Sequence, residues 1–333
     1  MGLRMTSNRL CVAVFALLFL ILPSATFAGD ATYEKLFSKK GATGEELAHA
    51  FFDLLSKTGG PAGAVGTTAE QDAASKRLIK PYLDPAFQLQ RSSGQHYIAE
   101  TYLPADVDDF EIGEVRETRP AEDVVVVRYF VGASQTLPDA ALVMSKDKAA
   151  RLSVFHWSIS DARWKILSHA NFNTPIAAFC NQKPIVDNGL ESPASSEDQT
   201  LGEGLMRNFY DLLVNGNAEL ILNPLFQYQS AIGVGFTTLS ERKTKTKFSE
   251  TQFDHAVVTR NKRLLIVSLY NTTKERVLMG QYHLRAGKSA SMATFLQGSD
   301  GVWAMIALAS FAPSKALPEG VLCVPVEKME RLQ

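Results

Sequence analysis

Cysteine is scarce in this chain: three in 333 residues, at Cys11, Cys180 and Cys323. That excludes a disulfide-dense scaffold and a cysteine-based zinc cluster. An excess of one charge is missing as well. The formal net charge is −1, and a leader carrying Arg4 and Arg9 would take two positive charges with it. Nothing electrostatic therefore points to nucleic acid or to an anionic membrane surface. There is no Gly-x-Ser-x-Gly, no P-loop and no dinucleotide fingerprint; Gly233-Val234-Gly235 opens no clear helix and reads as a turn. The six histidines, His49, His96, His156, His169, His255 and His283, show no metal-ligand spacing on one element, so neither a metal nor a cofactor is expected.

Long apolar runs are absent beyond the N-terminus. There, Arg4 and Arg9 precede an uncharged stretch from Leu10 to Leu22, Pro23-Ser24 break it, and Thr26-Phe27-Ala28 offers small residues where a signal peptidase reads. The run is short for a membrane span. Residues 1–28 are expected to be a signal peptide, an uncleaved anchor being the alternative. The mature chain is then periplasmic or secreted, without a stable membrane span. Export leaves Cys180 and Cys323, each in the tail after the last strand of its half. A bridge between them and two buried free thiols stand side by side as readings.

What the sequence has is an internal repeat. Phe51-Phe52-Asp53-Leu54-Leu55 recurs as Phe209-Tyr210-Asp211-Leu212-Leu213. Leu83-Asp84-Pro85-Ala86-Phe87-Gln88-Leu89-Gln90 recurs as Leu222-Asn223-Pro224-Leu225-Phe226-Gln227-Tyr228-Gln229. Phe155…Asp161-Ala162-Arg163-Trp164 is echoed by Phe295…Asp300-Gly301-Val302-Trp303. Two copies this far apart mean tandem domains. The expected division is a first repeat over 29–180, a Pro/Ser/Asp-rich linker over 181–199, and a second repeat with its tail over 200–333.

Each copy opens on a capping box, Thr43-Gly44-Glu45-Glu46 and Thr200-Leu201-Gly202-Glu203, followed by an apolar helical stripe. The first copy adds an insertion from Thr58 to Leu78 containing Gly59-Gly60-Pro61-Ala62-Gly63 and a short helix. After Pro85 and Pro224 the pattern turns strand-like. Strands are expected at Phe87–Gln90, Asp123–Val131, Ala140–Met144, Leu152–Ile159 and Arg163–Ala170. In the second copy they are expected at Arg263–Tyr270, Arg276–Leu284, Ser291–Gln297 and Val302–Ser310. The fold class is α+β: two tandem cone-shaped domains, each with N-terminal helices packed on a curved antiparallel sheet.

A helix with an aromatic-Asp-Leu-Leu stripe, then Leu-Asp/Asn-Pro-x-Phe, then long strands ending on a tryptophan strand, resembles the nuclear-transport-factor-2-like superfamily. That superfamily holds ketosteroid isomerases, scytalone dehydratase, polyketide cyclases and many non-catalytic binding domains. The resemblance covers 43–175 and 200–315 and matches no catalytic signature. It implies a pocket on the helix-facing side of each sheet. The other sheet face would meet a partner sheet, here as an internal pseudo-dimer with Gln88/Gln90 and Gln227/Gln229 forming the polar stripe.

Candidate pocket residues are Phe87, Trp157, Trp164, His169, Phe226 and Trp303, although such aromatics equally build a core. Asp84 is matched by Asn223 and precedes a proline, so a turn cap is favoured over a catalytic base. Asp53 and Asp211 sit off the apolar helix face. If Phe155 and Trp157 face the helices, His156 points the other way. No catalytic residue is assigned. The expected function is an exported, non-catalytic binding or scaffold protein for an apolar small molecule or a protein partner. An isomerase-, dehydratase- or cyclase-type enzyme with one active repeat is the alternative.

Overall fold

The computed structural model describes residues 31–58, 68–102, 110–133, 149–172, 185–230, 251–273, 277–279, 282–284 and 287–311. The N-terminal segment 1–28, Cys180, Cys323, Gly233-Val234-Gly235 and the strand expected at Ala140–Met144 lie outside these residues.

The first half opens on three helices, α1 (Ala31–Phe37), α2 (Gly44–Thr58) and α3 (Ala69–Ile79). Strands β1 (Leu83–Arg91), β2 (His96–Ile98), β3 (Phe110–Ala121), β4 (Val124–Ala133), β5 (Ala149–Ser158) and β6 (Arg163–Asn171) follow. The second half has α4 (Ser196–Val214), then β7 (Leu222–Ser230), β8 (Thr251–Asn261) and β9 (Leu264–Thr273). It ends with β10 (Val277–Met279), β11 (Tyr282–Leu284), β12 (Gly287–Gln297) and β13 (Trp303–Phe311). The molecule is α+β, with a six-stranded sheet ordered β2-β1-β6-β5-β4-β3 and a five-stranded sheet ordered β7-β13-β12-β9-β8. Apart from edge strand β2, the two orders correspond strand for strand.

The α2 cap forms as its sequence reads: Glu46 N donates to Thr43 Oγ1 (3.1 Å) and Thr43 N to Glu46 Oε2 (2.8 Å). The α4 cap is a correction. The helix starts upstream of Thr200, with Ser195 Oγ accepting from Asp198 N at 3.2 Å, and Thr200 Oγ1 donates to Ser196 O within the helix at 2.8 Å. Ser195 wins because Glu197 and Asp198 then occupy the first turn, where their charge meets the exposed amides.

Three further differences have plain causes. First, β1 pairs with β6, and β7 with β13, in parallel. Only a hairpin connection forces antiparallel pairing, and each of these pairs is separated in sequence by the intervening strands. Second, β3 was not legible. Glu111, Glu114, Arg116, Glu117 and Arg119 stand on a half-exposed edge strand, whose apolar alternation stops after Phe110 and Ile112. Third, the single strand expected at Arg276–Leu284 is the short antiparallel pair β10–β11.

Three apolar clusters result. One lies between α1–α3 and the first sheet and is built on Phe51, Phe87, Val127, Phe155 and Trp164. A second lies under α4, around Met206, Phe209, Val267 and Phe295. The third lies between the sheets and draws on both: Val126, Val154, Leu167, Ile266, Met292 and Ile306. The sheets therefore share a buried seam. Gln88 Nε2 crosses it to Thr259 Oγ1 (2.9 Å), Ile266 O (3.1 Å) and Val257 O (3.3 Å). Gln227 Nε2 crosses the other way to Thr118 Oγ1 (3.0 Å), Val126 O (3.0 Å) and Arg116 O (3.3 Å). Phe172 and Phe311, at matching strand ends, stack on each other at 4.5 Å. Residues 185–195, expected as a linker, are tied down: Asn188 Nδ2 donates to His96 O (2.8 Å), and Ser192 Oγ bridges the backbone of Val258.

Candidate functional site

The helix-facing side of the first sheet holds a chain of polar side chains inside an apolar core. Strand alternation sends Val125, Val127 and Tyr129 of β4 toward the helices, all fully buried. Ser153 on β5 pairs with Val127 on one side and with His169 of β6 on the other. Ser153 Oγ lies 3.0 Å from Tyr129 Oη and 2.8 Å from His169 Nδ1. Phe51 of α2 packs edge-on against the His169 ring at 5.0 Å, and Phe52 packs against both His169 (6.5 Å) and Tyr129 (6.0 Å). At the next position, Arg151 Nη1 donates to Ala150 O (2.8 Å) and Phe172 O (2.7 Å).

Burial sets the protonation of this chain. It pushes His169 well below the usual histidine value, and the Arg151 and Arg91 cations act in the same direction, so the imidazole is neutral. Burial raises the Tyr129 phenol, a shift that the Ser153 hydrogen bond and Arg151 only partly oppose. Burial likewise lowers the Arg151 guanidinium to about 10. The chain can donate and accept hydrogen bonds at neutral pH. It contains no carboxylate and no group poised to exchange a proton there.

The second half carries no such chain at the same places. Ala293 of β12 pairs with Val267 of β9 and Leu308 of β13, as Ser153 pairs with Val127 and His169. Two residues beyond Val267 stands Leu269, matching Tyr129. Leu269, Ala293 and Leu308 are all buried in the α4 core. The second half has its own smaller polar group nearer the strand end, where Tyr210 Oη lies 3.4 Å from both Ser291 Oγ and Asn271 Nδ2.

The remaining candidates are dispersed. Phe87 is fully buried against Tyr102 (5.3 Å). Trp164 is fully buried, with Nε1 donating to Lys39 O (2.9 Å), and half-buried Trp157 meets it edge-on at 5.6 Å. Trp157 stands four residues along β5 from Ser153, and Trp164 five residues along β6 from His169, or roughly 13–16 Å. Phe226 and Trp303 are half-buried at the edge of the second core, with Arg260 Cζ 5.5 Å above the Trp303 ring. The structure thus brings His169 together with Phe51, Phe52, Tyr129 and Ser153, and not with the tryptophans. Tyr129 and Ser153 were missed from sequence. The signal that finds them is the halves set against each other, Tyr129 on Leu269 and Ser153 on Ala293.

Asp84 makes the turn its sequence suggests: Oδ1 accepts from Ala86 N at 2.9 Å, and Asn223 Oδ1 accepts from Leu225 N at the same distance. Phe155 faces the helices and His156 faces the seam. Among the described residues, no three His, Cys, Asp or Glu side chains are placed to hold a metal ion, and no helix is long and apolar enough to cross a membrane.

No family model matches this chain, and no curated protein matches it. Solved structures do. A nuclear-transport-factor-2-like protein from Cytophaga hutchinsonii is 15% identical and has a TM-score of 0.30, the match covering 36% of this chain and 99% of that one. A protein of the same kind with a cystatin-like fold, from Novosphingobium aromaticivorans, is 17% identical, with 38% and 84% covered and a TM-score of 0.26. A superfamily member from Salmonella enterica is 12% identical, with 38% and 96% covered and a TM-score of 0.25.

Proposed function

We propose that this is an exported binding protein made of two nuclear-transport-factor-2-like halves packed as an internal pseudo-dimer. The first half takes a small, largely apolar ligand that offers one polar group to His169 and Tyr129. One observation carries this reading: Tyr129, Ser153 and His169 hold interior positions that the second half fills with Leu269, Ala293 and Leu308. The fold does not need polar groups there, and burying them costs free energy that leucine would not. Their retention in one half fits recognition of a polar atom inside an apolar surround.

A neutral imidazole and a neutral phenol favour binding over proton transfer, because a general base works best with a pKa near the operating pH. The confinement of the chain to one half also suits an isomerase- or cyclase-type enzyme with a single active half, and the same experiment separates the two. The natively exported protein is denatured, and the small molecules released are identified by mass spectrometry. They are compared with those from a Tyr129→Leu, Ser153→Ala, His169→Leu variant. Binding requires a ligand that leaves the wild type unchanged and is missing from the variant. Conversion of that ligand by the wild type makes the protein an enzyme. Equal recovery from both proteins removes the first-half chain from the reading.

A further inference from the structure

Where the two halves meet, a cleft of about 340 Å³ opens at one end of the seam. The first half supplies Asp84, Asp123, His156 and Lys165, and the second half supplies Asn261, Lys262 and Arg263 from the β8–β9 turn. Asp84 is 1% exposed and fully engaged: Oδ1 takes Ala86 N (2.9 Å), and Oδ2 takes Asn261 Nδ2 (2.7 Å) and faces His156 Nδ1 (3.1 Å). The Asp84 carboxylate thus occupies Nδ1 of the ring and leaves Nε2 for another partner. Nε2 faces Asp123 Oδ2 at 3.9 Å, too far for a hydrogen bond. The other Asp123 oxygen is taken by Arg263 Nη2.

The corresponding positions on the other side of the seam are different. Asn223 stands four residues before Gln227 as Asp84 stands before Gln88. Leu296 follows Phe295 as His156 follows Phe155. Ala121 closes β3 opposite Val124 as Asn261 closes β8 opposite Leu264. Leu296 is buried in the seam core and Ala121 packs against it. The molecule therefore builds this junction once with Asn, Leu and Ala, and once with a buried carboxylate, a histidine and a bridging asparagine. Packing two halves does not require the second arrangement, and a buried ionic cluster is a poor way to gain stability.

The charges around the cleft are unevenly committed. Lys165 is held by Asp161 at 2.6 Å and Arg263 by Asp123. Lys262 stands exposed at the turn tip with φ 53°, and no carboxylate lies within ion-pair distance of it among the described residues. Arg263 reaches Asp123 through Nη2, with donors to spare. We propose that this cleft binds a small hydroxylated anion, with its phosphate or carboxylate group on Lys262 and Arg263 and a neighbouring hydroxyl hydrogen-bonded to His156 Nε2.

The test uses the full chain labelled with 15N in histidine. The His156 ring resonances are followed during titration with glycerol 3-phosphate, glycolate, inorganic phosphate and glycerol at constant ionic strength. The expected result is a saturable shift of the Nε2 resonance with glycerol 3-phosphate or glycolate, the tighter of the two naming the anionic group. Glycerol should give none, and phosphate alone should bind more weakly. Lys262→Gln, an exposed change, should weaken binding about tenfold. Asp84→Asn with His156→Leu, which copies two of the three residues on the other side of the seam, should abolish binding measured by calorimetry and leave the melting temperature equal or higher. No saturable response to either hydroxylated anion overturns the proposal. So does equal binding by Lys262→Gln, or a double variant that melts well below the wild type, which would make the cluster a structural latch.

Discussion

Gln88 and Gln227 are exchanged images across the seam: each amide nitrogen reaches a threonine hydroxyl and two backbone carbonyls of the other half. Their oxygens differ. Gln88 Oε1 accepts from Ser268 Oγ at 2.8 Å and lies 3.1 Å from His96 Nε2. Gln227 Oε1 has no partner among the described residues.

That difference predicts unequal costs. Gln88→Leu strands acceptors in the other half together with Ser268 and His96, so it should lose about 2–4 kcal/mol in urea unfolding. Gln227→Leu strands fewer groups and removes an oxygen already unsatisfied, so its loss should be smaller, about 1–2 kcal/mol. Equal losses would mean that the oxygen side of Gln88 contributes nothing.

The buried histidines set the response to acid. His96 is fully buried, and burial lowers its pKa from 6.5 to about 3; His169 is lowered well below 6.5 for the same reason. The unfolded chain takes up these protons near the ordinary value while the folded chain does not. The stability they contribute is therefore full above that value and drains as pH falls through it. The slope is about 1.4 kcal/mol per pH unit for each histidine. Between pH 6.5 and about 5, before most carboxylates titrate, urea unfolding should show this loss. His169→Leu should flatten the slope by about half.

Gly44 and Gly202 lie where helix and sheet approach closely in the two halves. A methyl group on Gly44 would come within 2.7 Å of Val127 Cγ2, and one on Gly202 within 2.9 Å of Val258 Cγ2 and 3.0 Å of Val267 Cγ2. These valines are buried and cannot swing clear. Each Gly→Ala change should therefore cost about 1–3 kcal/mol despite alanine's better helix propensity, because overpacking outweighs it. A gain in melting temperature for either variant would contradict this close packing.

The fold was legible where residues carry a period. The α2 stripe, the Leu-Asp/Asn-Pro-x-Phe entry into β1 and β7, and the tryptophan strands β6 and β13 all lie where their sequences put them. Less legible were edge strand β3, which has charges on both faces, and the start of α4, which was decided between two competing local caps. The site was half legible. His169 stood out as a histidine at a strand end. Tyr129 hid in a valine run, since a strand of Val125, Val127 and Tyr129 reads as core until Leu269 is set beside it. The Asp84 turn was readable locally, but its contacts with His156 and Asn261 depend on a fold-level juxtaposition spanning up to 177 residues.

The Tyr129–Ser153–His169 chain also makes a prediction about coupling. Changing His169 alone to leucine leaves one hydroxyl proton of the Ser153–Tyr129 pair without an acceptor in an apolar core, and should cost about 2–3 kcal/mol. Tyr129→Leu alone leaves Ser153 bonded only to His169 and opens space against Phe52, for a loss of about 2–4 kcal/mol. Changing all three to the residues of the second half removes every stranded group at once. The helix–sheet packing around Leu269, Ala293 and Leu308 already accepts that set. The triple variant should therefore be destabilised by at least 1 kcal/mol less than the sum of its single changes, a coupling typical of residues in one network. Urea unfolding of the singles and the triple measures it. Strict additivity would mean that the three side chains pack independently, and the polar chain would then lose its claim to act as one unit.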